Sequence, residues 1–240
     1  MVITRDVAYA VEGLELIGRL AVPEGRGTLP GVLIAHEGGG LDDYQKSRAE
    51  RFADLGYVAF ALDYFGGGRP LSSPEEMAVR CRELWDEPDR IRTLAHAGLE
   101  VLAGDPRSDA SRLAAVGYCF GGAVVLELAR SAADVKAVVG FHPRLATRRP
   151  GDAHKITAKV LVCVGTEDPL ISAAERMSFE EEMRAGGVDW RMNLYGNAEH
   201  SFTRPAADRD GRAGIGYHRL SDQRSWRAML DLFDEVLAWP

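Results

Sequence analysis

A cysteine set among glycines is the residue whose surroundings point most clearly to chemistry. Cys119 lies in GYCFGG, at residues 117–122, where an apolar run typical of a strand meets one typical of a helix. A sharp strand-to-helix turn leaves room only for small residues two positions either side of the nucleophile, and it holds that side chain up into a site. The free N–H groups at the start of the helix favour both a thiolate and an oxyanion. The pattern predicts a nucleophile elbow in which sulfur replaces the usual serine oxygen.

The alternative interpretation of Cys119 is a buried structural cysteine, because free cysteines pack well in protein cores. The other two cysteines favour that interpretation: Cys163 lies inside the apolar run VLVCVG, and Cys81 lies in the middle of a helical pattern. Three cysteines cannot all pair within one chain, and no zinc-type CxxC spacing occurs. A reducing, cytoplasmic location is therefore expected, and one reactive thiol is compatible with it.

A nucleophilic thiol needs a base, and the base needs an acid that orients it. In folds with this elbow the nucleophile, the acid and the histidine follow one another in that order. Asp168 comes just after the apolar run KVLVCVG, and His200 comes just after DWRMNLYG. Each candidate follows a different predicted strand in the required order, which predicts a triad of Cys119, His200 and Asp168.

Competing residues exist for both partners of the cysteine. Glu167 adjoins Asp168, and an aspartate before proline often serves only a turn. His142 follows a predicted strand but precedes any suitable acid. The remaining histidines, which fit the order less well than His200, are His36, His96, His154 and His218.

An oxyanion hole is the remaining requirement of acyl-transfer chemistry. One backbone donor is expected at Phe120, the residue after the nucleophile, and the other at Glu37 or Gly38 in the loop HEGGG at residues 36–40. Glycines let backbone N–H groups approach a ligand closely, although a merely flexible turn would have the same composition.

The elements that must position these residues alternate between strands and helices. Two antiparallel strands are predicted at the start of the chain, and the following pattern predicts a mostly parallel sheet with helices on both faces, in one α/β domain over residues 1–240. The predicted strands are 4–11, 14–22, the start of 31–40, 57–64, 112–119, 135–143, 159–165 and 189–196. The predicted helices are 44–55, 73–103 in two pieces interrupted near Pro88, 120–131, 172–187 and 221–239.

Composition excludes several classes of function. Hydrophobic residues make up 46% and charged residues 27% of the chain, as in ordinary globular proteins. A net charge of −7 disfavours nucleic acid and anionic membranes, and no apolar run is long enough for a signal peptide or a membrane span. No metal or organic cofactor is expected, because no ligand cluster or phosphate-binding loop occurs and HEGGG lacks the second histidine of a zinc-protease motif. A monomer or small homo-oligomer is expected.

Four motifs together resemble those of one family, the dienelactone hydrolases (carboxymethylenebutenolidases) of the α/β-hydrolase superfamily. The resemblance extends over nearly the whole chain, in order and spacing. It implies the α/β-hydrolase fold and cleavage of a lactone or carboxylic ester through an acyl-thioester on Cys119. The motifs are HEGGG at 36–40, GYCFGG at 117–122, GTEDPL at 165–170 and EHSFTR at 199–204.

The resemblance also implies roles for two charged residues. Glu37 would contact the resting thiol until substrate displaces it, and would then help to generate the thiolate; Arg204 would bind a substrate carboxylate. The family's second arginine would lie near residues 74–82, where Arg80 and Arg82 stand in PEEMAVRCREL, a segment that departs from the family pattern.

Other functions are compatible with the same residues. A relative that binds ligands without turnover, an acyl transferase and a lactone isomerase would each retain this fold, and the last two would use the same acyl-enzyme. A further basic cluster, Arg144, Arg148 and Arg149, follows VKAVVGFHP and is interpreted as a solvated loop rather than an anion site.

Overall fold

Strands and helices alternate along the chain in the computed structural model, which describes residues 1–209 and 211–237. The strands are β1 (Val2–Val11), β2 (Leu14–Pro23), β3 (Leu29–Ala35), β4 (Val58–Leu62), β5 (Ser108–Tyr118), β6 (Ala137–Phe141), β7 (Lys159–Gly165) and β8 (Trp190–Tyr195). The α-helices are α1 (Asp43–Asp54), α2 (Pro74–Asp86), α3 (Pro88–Ala103), α4 (Phe120–Arg130), α5 (Ala173–Gly186) and α6 (Arg219–Leu237).

The strands form one eight-stranded sheet in the order β1-β2-β4-β3-β5-β6-β7-β8. The first two strands pair as an antiparallel hairpin, β2 is antiparallel to β4, and every later pairing is parallel. The inner strands are buried on both faces, which explains their continuous apolar sequences. The mostly parallel sheet predicted from the sequence is confirmed.

Helices cover both faces of this sheet and enclose two hydrophobic cores. One core contains Leu94 of α3, Val124 of α4 and Phe179 of α5. The other contains Phe52 of α1 and Phe233 of α6. Successive residues of each inner strand point alternately into the two cores, as strand geometry requires.

The sequence and the structure differ mainly at the ends of elements. β6 stops at Phe141, earlier than predicted, because His142 has a φ of 40° and the next residue is a proline without an N–H group. The interruption predicted near Pro88 is present, and Pro88 begins α3. The predicted end of the last helix, at Trp239, lies outside the described residues.

A buried ionic network fixes helix α4, which begins one residue after Cys119. Arg130 is fully buried, and its Nε lies 2.7 Å from Oε1 of Glu182 in α5. Glu127, one turn earlier, accepts a bond from Nη2 of Arg92 in α3 at 2.8 Å. Buried charges are tolerated only when they are paired, so these ion pairs tie α4 to its neighbours.

Candidate active site

The turn between β5 and α4 carries the candidate nucleophile. Cys119 has φ 53° and ψ −117°, an unfavourable backbone conformation for a residue with a side chain. A Cβ at Gly117 would lie 2.0 Å from the carbonyl oxygen of Gly121, so only glycine fits at that position. The N–H of Cys119 donates to the carbonyl of Phe141 at 3.0 Å, which ties the turn to the end of β6. The strand-to-helix geometry predicted from GYCFGG is therefore present.

The loops after β7 and β8 bring the candidate acid and base together. A Cβ at Gly165 would lie 2.1 Å from the carbonyl oxygen of Ala198, so glycine is required where the two loops cross. His200 Nδ1 lies 2.7 Å from Asp168 Oδ2, and both side chains are almost completely buried. Oδ1 of Asp168 accepts the N–H of Leu170 at 2.9 Å, which orients the carboxylate.

The second ring nitrogen of His200, Nε2, is buried and has no hydrogen-bond partner among the residues that the structure describes. His200 and Cys119 line the same cavity. Burial of the imidazole lowers its pKa, but the charge of the Cys119 sulfur and the Asp168 carboxylate outweigh burial and raise the pKa of His200 to about 10. The imidazole of His200 is therefore held in its protonated form at physiological pH.

The HEGGG loop after β3 lies against the start of α4. His36 is fully buried, its ring stacks on Tyr64 with centroids 3.7 Å apart, and Nδ1 lies 2.7 Å from the carbonyl oxygen of Glu37. Burial lowers the pKa of His36 to about 4, so this imidazole is neutral at physiological pH. A Cβ at Gly121 would lie 2.3 Å from the carbonyl oxygens of Ala35 and His36. This close approach places the loop beside the N–H of Phe120.

Glu37 and Arg204 form an ion pair at the edge of the cavity. Nη1 of Arg204 lies 2.5 Å from Oε2 of Glu37, and Nη2 lies 2.6 Å from Oδ2 of Asp42. Oε1 of Glu37 is buried and has no hydrogen-bond partner within the described part of the chain. Arg204, predicted to bind a substrate carboxylate, therefore has both terminal nitrogens on carboxylates of the protein itself.

Two adjoining cavities meet at Cys119. The larger, of about 510 Å³, contains the Glu37–Arg204 pair. The smaller, of about 330 Å³, has a mostly apolar wall formed in part by Met77, Leu170 and Ile171. Phe120 and Ile171 line only the smaller cavity. Five residues line both cavities: Gly38, Met77, Cys119, Leu170 and His200. The residues proposed from the sequence thus gather at one point, except that Asp168 lies behind His200 and out of the cavity lining.

The residues considered as alternatives to Asp168 and His200 each have hydrogen-bond partners outside the proposed triad. Glu167 is exposed and accepts from the Thr166 hydroxyl at 3.1 Å. His142 is fully buried, with Nε2 2.9 Å from Thr203 Oγ1. Each of the remaining histidines away from the HEGGG loop has a partner of its own: His96 with Ser131, His154 with the carbonyl of Gly151, and His218 with Ser221.

Two cavity residues escaped the sequence analysis. Cys81, interpreted as packing, lines the smaller cavity together with Cys119, and Arg144, interpreted as part of a solvated loop, lines it too. Arg144 follows the end of β6 by three residues, so its position after a parallel strand was a usable signal. Arg80 and Arg82 line neither cavity at Cys119.

The described part of the chain comprises residues 1–209 and 211–237. Within them, no group of three or more His, Cys, Asp or Glu side chains could hold a metal ion. No helix in the same residues is long and apolar enough to cross a membrane.

Comparison with known proteins agrees with this architecture. A structure named m3DLH is 44% identical, with a TM-score of 0.95 and coverage of 98% of both chains. A dienelactone hydrolase-like promiscuous phosphotriesterase from metagenomic libraries is 38% identical, with a TM-score of 0.94 and the same coverage. A dienelactone hydrolase from Anabaena variabilis is 22% identical over 95% of this chain and 98% of that one, with a TM-score of 0.66, which supports the fold alone.

The family model described as "Dienelactone hydrolase family" matches residues 16–237. That range begins inside β2 and contains the six later strands, β3 to β8. It includes every residue of the candidate site. The chain belongs to the dienelactone hydrolase family and has the α/β-hydrolase fold of that family.

Proposed function

We propose that this protein hydrolyses a lactone or carboxylic ester through a Cys119–His200–Asp168 triad. The observation that carries the proposal is the 2.7 Å contact between His200 Nδ1 and Asp168 Oδ2, with Nε2 left unpartnered among the described residues in a cavity that also contains the Cys119 sulfur. A base oriented by an acid beside a nucleophile on a sharp turn is the arrangement that acyl transfer requires.

The chemistry follows from these positions. The Cys119 thiolate attacks the carbonyl carbon, and its negative charge moves to the carbonyl oxygen. When the carbon–oxygen bond breaks, the alkoxide takes the proton from His200 Nε2 and an acyl-thioester remains. Water then attacks the thioester, His200 takes a proton from it, and the carbon–sulfur bond breaks to restore the thiolate. In a lactone the leaving alkoxide stays attached to the acyl chain.

Backbone donors would stabilise the oxyanion of each tetrahedral intermediate. The N–H of Phe120 is the first of α4 and has no carbonyl partner within its own helix. The N–H groups of Glu37 and Gly38 belong to the loop that packs against this turn. Preorganised donors at an oxyanion contribute about 2.7–4 kcal/mol each to transition-state stabilisation.

Glu37 is proposed to restrain the resting thiol. Its carboxylate lies in the Cys119 cavity, held by Arg204, and one of its oxygens is buried without a hydrogen-bond donor among the described residues. A negative charge near sulfur disfavours the thiolate, so moving Glu37 when substrate enters would favour it.

Hydrolysis of a phosphotriester is a second candidate. It is favoured by the 38% identity, over nearly the whole chain, to a protein named as a promiscuous phosphotriesterase. The same thiolate would attack phosphorus in place of carbon and expel an alkoxide or phenoxide, and water would then attack phosphorus and break the sulfur–phosphorus bond to restore the thiolate. Turnover of paraoxon that depends on Cys119 would support this candidate.

The proposed function is tested by comparing the wild type with Cys119→Ala and Cys163→Ala. Cys163 is a fully buried cysteine that lines neither cavity at Cys119, so it controls for the loss of a thiol. We expect Cys119→Ala to abolish turnover of p-nitrophenyl acetate and Cys163→Ala to retain it, with a covalent acyl adduct visible by mass spectrometry only when Cys119 is present. Full activity of a folded Cys119→Ala protein would refute the proposal. Ligand binding without any product would favour a binding protein, and transfer to an added alcohol or amine in preference to water would favour an acyl transferase.

A further inference from the structure

The smaller cavity at Cys119 contains one arginine whose guanidinium has no protein counter-ion in contact. Arg144 lies with its Cζ 3.6 Å from the centre of the Trp85 ring. Among residues 1–209 and 211–237, no hydrogen bond or ion pair engages its guanidinium. An arginine stacked on an aromatic face keeps its N–H donors in the plane of the guanidinium, where they remain available to a ligand.

The other two arginines of the basic cluster, Arg148 and Arg149, already bind groups of the protein. Nε of Arg148 donates to the carbonyl of Trp85 at 3.0 Å, and its Nη2 contacts Asp86. Both terminal nitrogens of Arg149 lie 2.6 Å from the carboxylate of Asp89. Neither of these arginines lines the cavities at Cys119, so within the cluster Arg144 alone combines access to the nucleophile with unused donors.

Arg204, in the larger cavity, differs from Arg144 because it has carboxylate partners in the protein. Arg204 is neutralised by Glu37 and Asp42, each at hydrogen-bond distance. A substrate carboxylate that approached Arg204 would have to displace one of these carboxylates or be repelled by both. Arg209 and Arg212 also line the larger cavity, so the contrast with Arg144 is confined to Arg204, which already has two carboxylate partners.

One acidic residue, Glu175, lies close enough to Arg144 to act on its charge. Glu175 lines the smaller cavity and its charge acts on Arg144. Oε1 of Glu175 accepts the N–H groups of Leu145 and Ala146, at 2.9 and 3.1 Å, so this carboxylate is held on the backbone of the loop that carries Arg144. Arg144 is an exposed residue; desolvation and the charge of Arg148 lower the pKa of its guanidinium, and the charge of Glu175 opposes that shift.

We propose that Arg144 binds an ionised carboxylate on the acyl part of the substrate. The inference rests on the proposed hydrolase function. A planar carboxylate matches the fork of a guanidinium, and the apolar wall formed by Met77, Leu170 and Ile171 suits the carbon chain that connects it to the reacting carbonyl. The acyl part remains bonded to Cys119 through the second step.

The test uses mono-p-nitrophenyl esters of succinate, glutarate and adipate, each beside its methyl p-nitrophenyl diester, which lacks the charge. The wild type is expected to prefer at least one half-ester over its neutral partner by about tenfold to hundredfold in kcat/KM, mainly through KM. Arg144→Gln is expected to abolish that preference and to lower kcat/KM for the half-ester at least about tenfold more than for its diester. Arg144→Lys should keep part of it, because the charge remains and the fork does not.

Arg148→Gln is the matched control, since it removes an arginine from the same loop outside the cavities. Binding of free glutarate to Cys119→Ala, with and without Arg144→Gln, provides a readout that needs no turnover. The inference is overturned if no half-ester is preferred, if the preference survives Arg144→Gln, or if Arg204→Gln removes it in place of Arg144→Gln. Failure of the proposed function looks different: Cys119→Ala would hydrolyse the neutral diesters, or the wild type would not.

Discussion

Nη1 of Arg204 lies 2.5 Å from Oε2 of Glu37, in the lining of the cavity that contains Cys119. The pair joins the loop after β3 to the loop after β8, which are 167 residues apart in sequence. The same arginine holds Asp42, the N-cap residue of α1. Arg204 therefore stabilises the position of the loop that also contains the expected oxyanion donors.

Replacing Arg204 by glutamine should lower activity on charged and neutral esters alike. The variant leaves the carboxylates of Glu37 and Asp42 without their cation, so we expect kcat/KM to fall about tenfold or more on both kinds of substrate. Steady-state kinetics on a half-ester and its neutral diester checks this. A loss restricted to the half-ester would show that Arg204 binds the substrate carboxylate, as the family resemblance implies.

Replacing Glu37 by glutamine should accelerate alkylation of Cys119 by iodoacetamide at neutral pH. The change removes a negative charge from the cavity and leaves Arg204 less neutralised, and both effects favour the thiolate. Alkylation is followed by mass spectrometry of the Cys119 peptide from pH 5 to 9, in about one-unit steps that cover the usual thiol and imidazole range. Glu100→Gln, an exposed glutamate in α3, is the control. Identical pH profiles for Glu37→Gln and wild type would show that Glu37 does not act on the sulfur.

Replacing Asp168 by asparagine should reduce kcat by about 10²–10⁴-fold while the protein stays folded. The asparagine cannot stabilise the protonated imidazole, so the pKa of His200 should fall in this variant. Kinetics measures the first effect, and NMR titration of the histidine ring protons measures the second. Glu167→Gln, at the neighbouring exposed acid, should keep near wild-type activity, and a larger effect at Glu167 would exchange the roles of the two acids.

The stability of the protein should decrease at alkaline pH because of His200. Its pKa is raised from an ordinary value near 6.5 to about 10, so the folded state binds a proton more tightly than the unfolded state. This stabilising contribution is complete below about pH 6.5 and is lost as the pH rises through about 10. Urea unfolding from pH 6 to 10.5 should show the loss, because that interval spans the two values. Cys119→Ala, which removes one cause of the raised pKa, should show a smaller loss, and equal slopes would contradict the coupling.

Adding a methyl group at Gly121 should disrupt the site more than adding one at Gly151. The Cβ of Gly121→Ala would lie 2.3 Å from backbone oxygens of Ala35 and His36, so the HEGGG loop or α4 must move. We expect activity to fall at least about a hundredfold, since misplacement by about 1 Å has that effect on catalysis. Gly151→Ala is the control, because its Cβ would meet no atom within 4 Å. Activity of Gly121→Ala equal to that of Gly151→Ala would contradict the tight packing of loop and elbow.

Local sequence patterns were enough to predict the fold and the family, both of which are confirmed. The alternation of apolar strands with helical patterns predicts a parallel sheet, and the parallel strands align their carboxyl ends at one edge. For that reason Cys119, Asp168 and His200, each placed after a different strand, were expected near one another. Their catalytic roles stay predictions.

The tertiary structure decided which charged side chains pair with other groups of the protein and which remain available to a ligand. A sequence shows that Arg144 and Arg204 occur, but their partners come from segments far away in the chain, and electrostatic pairing depends on distances of a few ångströms. Only the folded chain shows Arg204 on Glu37 and Asp42, Arg144 stacked on Trp85, and Cys81 beside the nucleophile's cavity. Strand periodicity is a local property, whereas the pairing of side chains across a cavity is a property of the whole fold.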